Sequence, residues 1–300
     1  MTLWIFITLA AALFQTLRFM LQRQLSLGTL SASGATLARF LYSAPLVAVL
    51  IVVYMAASEQ SWPAFEARFW AFGILGGLTQ ILATVATVRL FQARNFAVGI
   101  TFKKTEVMQA VLVGWVLLGD TVSLWGFVAI GAGVVGVVLL SAPPGAVGLG
   151  GRGMLNRAAA LGLASGLLFA VSGVCYRGAS LSLELADPFA RAGLTLAAVT
   201  AMQTVAMLVW LRWRDPGQVG AVWAARRVAV WIGLMSMAGS FCWFTAFTLQ
   251  TAAYVNAVGQ VELVFSVLAS VLIFRETISR REWVGMAVLL GSIVMLVLVI

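Results

Sequence analysis

Apolar runs of about 20 residues, separated by short polar breaks, recur from one end of this sequence to the other. A helix rising 1.5 Å per residue needs about that length to cross a hydrocarbon core of about 30 Å. Lipid offers no partner for backbone N–H and C=O groups, so only helices and closed barrels can span it. Barrel strands would alternate polar and apolar residues in segments of about ten, and no such alternation occurs here. Ten spans are expected, near 3–21, 32–56, 69–91, 96–118, 122–142, 156–178, 188–211, 228–248, 253–274 and 283–300. Hydrophobic residues make up 62% of the 300 and charged residues 10%, against roughly 45–50% and about 25% in soluble domains. The expected class is therefore an all-α integral membrane protein in contact with a lipid bilayer.

Several functional classes are disfavoured at once. The chain has no histidine, which removes the commonest general base and metal ligand. Cys175 and Cys242 lie within apolar runs and form neither a disulfide framework nor a CxxC pair. No metal site, catalytic residue or cofactor is expected, and the absence of GxxxxGK[ST] leaves no nucleotide-driven pump within the chain. The first apolar run lacks a basic n-region and a small-residue cleavage site, and Arg18 interrupts it, so it is expected to remain as a span. The formal net charge of +9 comes from scattered residues rather than a basic run, which suits lipid headgroups better than nucleic acid. With these spans, twelve arginines fall in connections on one side or at the span ends beside them, and only Arg68 and Arg177 on the other. The positive-inside rule makes the arginine-rich side cytoplasmic and puts both termini outside.

The sequence repeats itself. SAPPGAVGLGGRG, 141–153, divides five spans from five: a first repeat over 1–142, a connecting loop over 143–155 and a second repeat over 156–300. Arg23 and Ser26 fall on Arg177 and Ser180, and Arg39 falls on Arg191. At a separation of 156 residues, Glu106 falls on Glu262, Asp120 on Glu276 and Thr121 on Thr277. Such a period is far longer than that of solenoid repeats. Five crossings is an odd number, so the second copy must enter the membrane from the opposite side. Inverted repeats of this kind build transporters around a site near the bilayer midplane.

These residues resemble the drug/metabolite transporter superfamily, specifically its ten-helix EamA branch, over nearly the whole chain. That branch carries an Arg in the second helix of each half, matched by Arg39 and Arg191. In each fourth helix it carries a LEP triplet followed by LLLGE, matched by "TEVMQAVLVGWVLLGDTVS" and "VELVFSVLASVLIFRETIS". Val107 and Leu263 stand where the family has proline, which leaves no proline to kink either helix. The resemblance implies export or exchange of small metabolites such as amino acids, driven by a proton or substrate gradient, in a bacterial inner (plasma) membrane, by a monomer or homodimer. It also implies cytoplasmic termini, against the arginine count, so orientation stays open.

The candidate site residues are polar groups at membrane depth. Three charges in "TFKKTEVMQA", 101–110, require compensation at about 2.5–3.5 kcal/mol each on insertion scales. Helical spacing puts Lys103, Glu106 and Gln109 on one face with Lys104 on its flank. Lys103 either pairs with Glu106 at i, i+3 or, with Lys104, binds a substrate anion. The second copy has Gly259 and Gln260 in place of the lysines, so the positive excess belongs to one half and favours an anionic or zwitterionic ligand. Glu262 has no lysine in its own turn and is the preferred proton-coupling candidate together with Glu106; the alternative is a permanent pair with Arg18 or another buried arginine. Gln15 and Arg18, Thr84 beside Gln80 and Thr87, and Asn256 with Gln260 are expected to line a cavity or to join helices. Tyr176 and Trp243 are candidates to stack on a ligand. Arg39 and Arg191, occurring in both halves, are expected to be structural.

The leading expectation is a secondary transporter with Lys103 and Lys104 choosing the substrate and the two glutamates forming the machinery. Transport of quaternary amines is the alternative within the class. Outside it stand a membrane-embedded enzyme or lipid-handling protein, for which no nucleophile beside a base is evident, and a regulatory membrane partner.

Overall fold

The computed structural model describes residues 3–109, 123–141, 157–250, 255–256 and 258–299. Among the described residues 86% are helical and none lies in a strand. The helices are α1 (Leu3–Ser26), α2 (Ala32–Ala57), α3 (Ala67–Ala93), α4 (Phe96–Lys103), α5 (Leu124–Ser141), α6 (Arg157–Leu181) and α7 (Pro188–Arg214). They continue with α8 (Pro216–Ala224), α9 (Arg226–Leu249), α10 (Val261–Leu268), a π-turn over Ala269–Ile273, and α11 (Arg280–Val299). Six of these, α1, α2, α3, α6, α7 and α9, are long and apolar enough to cross a membrane. The connecting loop expected over 143–155 lies outside the described residues, as do Asp120 and Thr121.

The helices bury one flank and leave another apolar. Val49, Val52 and Val53 on α2, and Leu75, Leu78 and Leu82 on α3, are exposed, as befits faces whose solvent is hydrocarbon. Inside, α1 lies along α9, α3 along α6, α5 along α11, and α2 against both α7 and α9. Gly136 permits the α5–α11 approach, since a Cβ there would stand 2.9 Å from the backbone N of Leu289. Helix starts follow capping chemistry. Ser31 Oγ accepts from Gly34 N–H at 3.1 Å, and Asp187 Oδ1 accepts from Phe189 N–H at 2.9 Å, with Pro188 opening α7. Asp187 Oδ2 also receives Tyr54 Oη–H at 2.6 Å and Gln60 Nε2–H at 2.8 Å, tying the end of α2 to the start of α7.

Two expected spans are not continuous helices. The fourth stops at Lys103, turns at Lys104 and Thr105, and resumes over 106–109. The ninth turns at Gly259 and Gln260 before α10 begins. The breaks fall at equivalent places in the two copies and occur without proline. α8 is a further difference: Pro216 starts a short helix in what reads as a plain connection, and Gln218 Oε1 there accepts from Ser31 N–H at 2.8 Å.

The break in the fourth span rests against α6. A Cβ on Gly166 would lie 2.6 Å from Thr105 Oγ1, 3.0 Å from Glu106 N and 3.2 Å from Lys103 O. Two outcomes follow. Gly166→Val should destabilise the purified protein by about 1–3 kcal/mol through overpacking, read as a lower thermal midpoint than Gly131→Val, where a Cβ meets open space. Partial burial works to raise the Asp187 carboxyl, but hydrogen bonds from Tyr54, Gln60 and the Phe189 and Ala190 backbone outweigh it and hold it below the usual carboxylate range. Its contribution is therefore present above an unfolded value of about 3.9 and lost as pH falls through the lower native value. Thermal midpoints measured across acidic pH should fall less steeply in Asp187→Asn than in the unmodified protein.

Candidate functional site

A broken helix in lipid must satisfy the backbone groups it frees. Here a lysine joins the two breaks. Lys104 Nζ donates at 3.0 Å to Gly259 O, a carbonyl at the turn in the second copy that also accepts from Glu262 N–H at 3.1 Å. The same ammonium stands 2.7 Å from Glu262 Oε2. Lys103 Nζ reaches Glu262 at 3.1 and 3.4 Å, and Gln15 Nε2 donates to it at 3.0 Å. Glu262 is 0% exposed. Gln260 and Gln109 serve the backbone as well, donating to Asn256 O at 2.9 Å and to Leu163 O at 3.0 Å.

This arrangement corrects two expectations. Lys103 does not pair with Glu106 at i, i+3, because the helix ends at Lys103 and the turn carries Glu106 away from its register. Glu262 is not a lone carboxylate either: both lysines of the other copy are directed at it. Nor does it pair directly with Arg18. That guanidinium donates to Gln22 Oε1 at 3.2 Å and Gln15 Oε1 at 3.4 Å, and lies 4.0 Å over the Phe19 ring. Gln15 thus bridges Arg18 to Glu262 with its two amide atoms.

Beside this cluster lies a cavity of about 100 Å³ between α1, α2, α3, α6 and α9 and the two breaks. Of the residues singled out in the sequence, Gln15, Arg39, Lys103, Glu106, Tyr176, Trp243 and Asn256 line it. Lys104, Glu262, Arg18, Thr84 and Gln260 are buried without lining it, and Gln109 is turned to α6. Arg191 is elsewhere, its Nε donating to Leu185 O ahead of α7. The two repeated arginines therefore differ in surroundings. Arg39 donates to Thr84 Oγ1 at 2.9 Å and Ser240 Oγ at 3.3 Å. Gln80 fixes another part of the wall, its Oε1 accepting from Tyr176 Oη–H and Gln203 Nε2–H, both at 2.9 Å.

Ser240, Phe169, Phe244 and Phe247 also line the cavity and were not singled out. Only Ser240 carried a signal, its i, i+3 spacing from Trp243 placing both on one face. Phenylalanines in an apolar helix carry none.

The charges in and around the wall are unevenly satisfied. No ion pair among the described residues involves Arg39 or Arg18. Glu106, with a side chain 12% exposed, has Lys104 Nζ at 4.0 Å and no shorter polar partner among the described residues. Trp243 Nε1–H is buried without an acceptor among the described residues. Among the described residues no group of His, Cys, Asp and Glu could hold a metal ion.

Away from the cavity, the arginine-bearing end is tied across the copies. Arg23 pairs with Glu276, whose other oxygen accepts from Phe96 N–H at 3.0 Å. Arg94 pairs with Glu282 at 3.0 Å, and Asn95 Nδ2 donates to Thr277 O at 3.0 Å. Beyond the cavity, Arg177, the repeat equivalent of Arg23, donates to Phe247 O and, at 2.8 Å, to Gln250 O.

Three comparisons bear on this geometry. Residues 156–298 match the model of the EamA-like transporter family. No match was found among curated proteins. A solved structure described as "Crystal structure of protein" aligns with a TM-score of 0.56 at 18% identity, covering 95% of this chain and 97% of that one. At that identity the likeness concerns the fold.

The two glutamates should respond differently to neutralisation. Glu262→Gln leaves two buried ammonium groups facing an amide, a change of about 3–5 kcal/mol in stability. Glu106→Gln should stay within about 1 kcal/mol, since among the described residues the nearest charged partner of its carboxylate is Lys104 Nζ at 4.0 Å. Thermal unfolding in detergent checks this; equal losses in the two variants would contradict it.

Proposed function

Because residues 156–298 match the model of the EamA-like transporter family, we propose that the chain is a secondary transporter, exporting or exchanging a small zwitterionic or anionic metabolite of the amino-acid type. The observation that carries the substrate class is the charge around the cavity. Four buried cations, Arg18, Arg39, Lys103 and Lys104, stand against two carboxylates, Glu106 and Glu262. An excess of positive charge out of water is costly unless something neutralises it. A substrate carboxylate supplies that neutralisation, whereas a quaternary amine would add to the excess.

The mechanism is alternating access between two five-helix halves of opposite orientation. Its support lies in the pairing of helices. Exchanging the first and third helix of one half with those of the other turns the α1–α9 contact into the α3–α6 contact, while α5–α11 and α2–α7 map onto themselves. The bonds of Arg23, Arg94 and Asn95 hold one end closed and must part for the cavity to face that side. Lys103, Lys104 and Glu262 work as a joint between the halves and Glu106 as the carboxylate free to exchange a proton with the cavity. The setting is a multi-pass protein of the bacterial inner membrane. That reading reverses the division of labour expected from sequence, in which the lysines choose the substrate.

Counterflow in proteoliposomes tests it. Vesicles loaded with an unlabelled mixture of the proteinogenic amino acids should accumulate at least one labelled amino acid in a saturable manner. Accumulation should fall about tenfold or more in Glu106→Gln. Accumulation of tetraethylammonium instead of any amino acid would overturn the substrate class, and no saturable flux of either would overturn the transport reading.

A further inference from the structure

The cavity wall contains two kinds of polar group that the protein leaves unfinished, and they are of opposite sign. Arg39 is 4% exposed, lines the cavity, lies 5.0 Å over the Phe40 ring, and among the described residues its side-chain hydrogen bonds go to two hydroxyls, Thr84 and Ser240. Thr84 Oγ1 is itself tied to Gln80 O at 2.8 Å. A guanidinium presents five N–H donors in a planar fork suited to a carboxylate, and two hydroxyls occupy only part of it. One turn along α9 from Ser240, Trp243 presents a buried indole N–H with no acceptor among the described residues. A buried donor left unpaired is destabilising, and both donors border the same space. Glu106 is the converse: an acceptor that lines the cavity and has no hydrogen-bond donor among the described residues.

Building on the transport reading above, we propose that Arg39 and the Trp243 indole N–H form a carboxylate subsite, that Glu106 forms an ammonium subsite, and that the ligand is a compact α-amino acid or close analogue bridging the two. The remaining wall is apolar at Phe169, Phe244 and Phe247, which suits an uncharged side chain. Lys103 lines the same cavity but is committed to Glu262. Arg191, the counterpart of Arg39 in the repeat, does not line the cavity and donates through Nε to the loop before α7.

The test uses matched compounds in the proteoliposome assay: leucine, methionine and phenylalanine, each with its decarboxylated amine and its deaminated acid. In the unmodified protein the amino acid should compete for flux about 10- to 100-fold better than either partner, the ratio expected for a charge-assisted hydrogen bond lost in a buried site. Arg39→Gln should erase the preference over the amine, and Trp243→Phe, which keeps the ring and removes the donor, should reduce it. Glu106→Gln should erase the preference over the deaminated acid and leave the preference over the amine. Because the readout is a ratio, loss of protein in Arg39→Gln leaves Trp243→Phe and Arg39→Lys to decide. Equal competition by amino acid and amine in the unmodified protein, or unchanged ratios in Trp243→Phe and Arg39→Gln, would overturn the subsites while transport itself stood. Saturable flux of none of the nine compounds and of no other amino acid would overturn the transport reading as well.

Discussion

Everything else in this structure depends on one carboxylate. Glu262 is closed off from solvent and receives Lys103, Lys104 and Gln15 from the other half of the chain. Two helices are interrupted where they meet it, and a lysine beside one interruption donates to Gly259 O at the other, a carbonyl that also accepts from Glu262 N–H. In hydrocarbon such bonding is among the few ways a helix can break without exposing its backbone. The breaks let polar side chains converge beside a cavity without lining it with loops, the arrangement that discontinuous helices give to transporters.

The saturation of Glu262 throws its neighbours into relief. Polar groups that a fold needs for itself end up with partners, and buried groups without partners call for an explanation. Gln15, Gln80 and Gln203 have bonding partners within the chain, whereas Gln109 and Gln260, set back from the cavity wall, bond through the amide nitrogen and keep a buried Oε1 with no partner among the described residues. Arg39, Glu106 and the indole of Trp243 are the less satisfied groups on the cavity wall. A site that keeps both an incompletely paired cation and an incompletely paired anion in a low-dielectric interior is shaped for a ligand bearing both signs.

Much of the architecture was legible. Six of the ten expected spans, those at α1, α2, α3, α6, α7 and α9, followed from apolar length alone. What failed did so for identifiable reasons. Pairing Lys103 with Glu106 assumed a continuous helix, and nothing local in "TFKKTEVMQA" marks the turn at Lys104 and Thr105, since the residue that usually signals a break, proline, is absent. The true partner lies 159 residues away, a distance over which sequence spacing says nothing of contact. Arg39 and Arg191 match in the repeat, but repetition preserves a position and not its surroundings: Arg39 lines the cavity and Arg191 bonds the loop before α7. α8 was missed because nine residues between two spans leave little periodicity, although Pro216 was a fair signal of its start.

The central claim is that the cavity beside Glu262 is a substrate pathway rather than a packing defect. Its most direct test replaces Cys175 and Cys242 with Ala and introduces Ala170→Cys in the cavity wall. Labelling by a membrane-impermeant maleimide is then followed with and without a mixture of amino acids. The account predicts labelling through water in the cavity, slowed severalfold by the amino acids. No labelling, or labelling that amino acids leave unchanged, would contradict it.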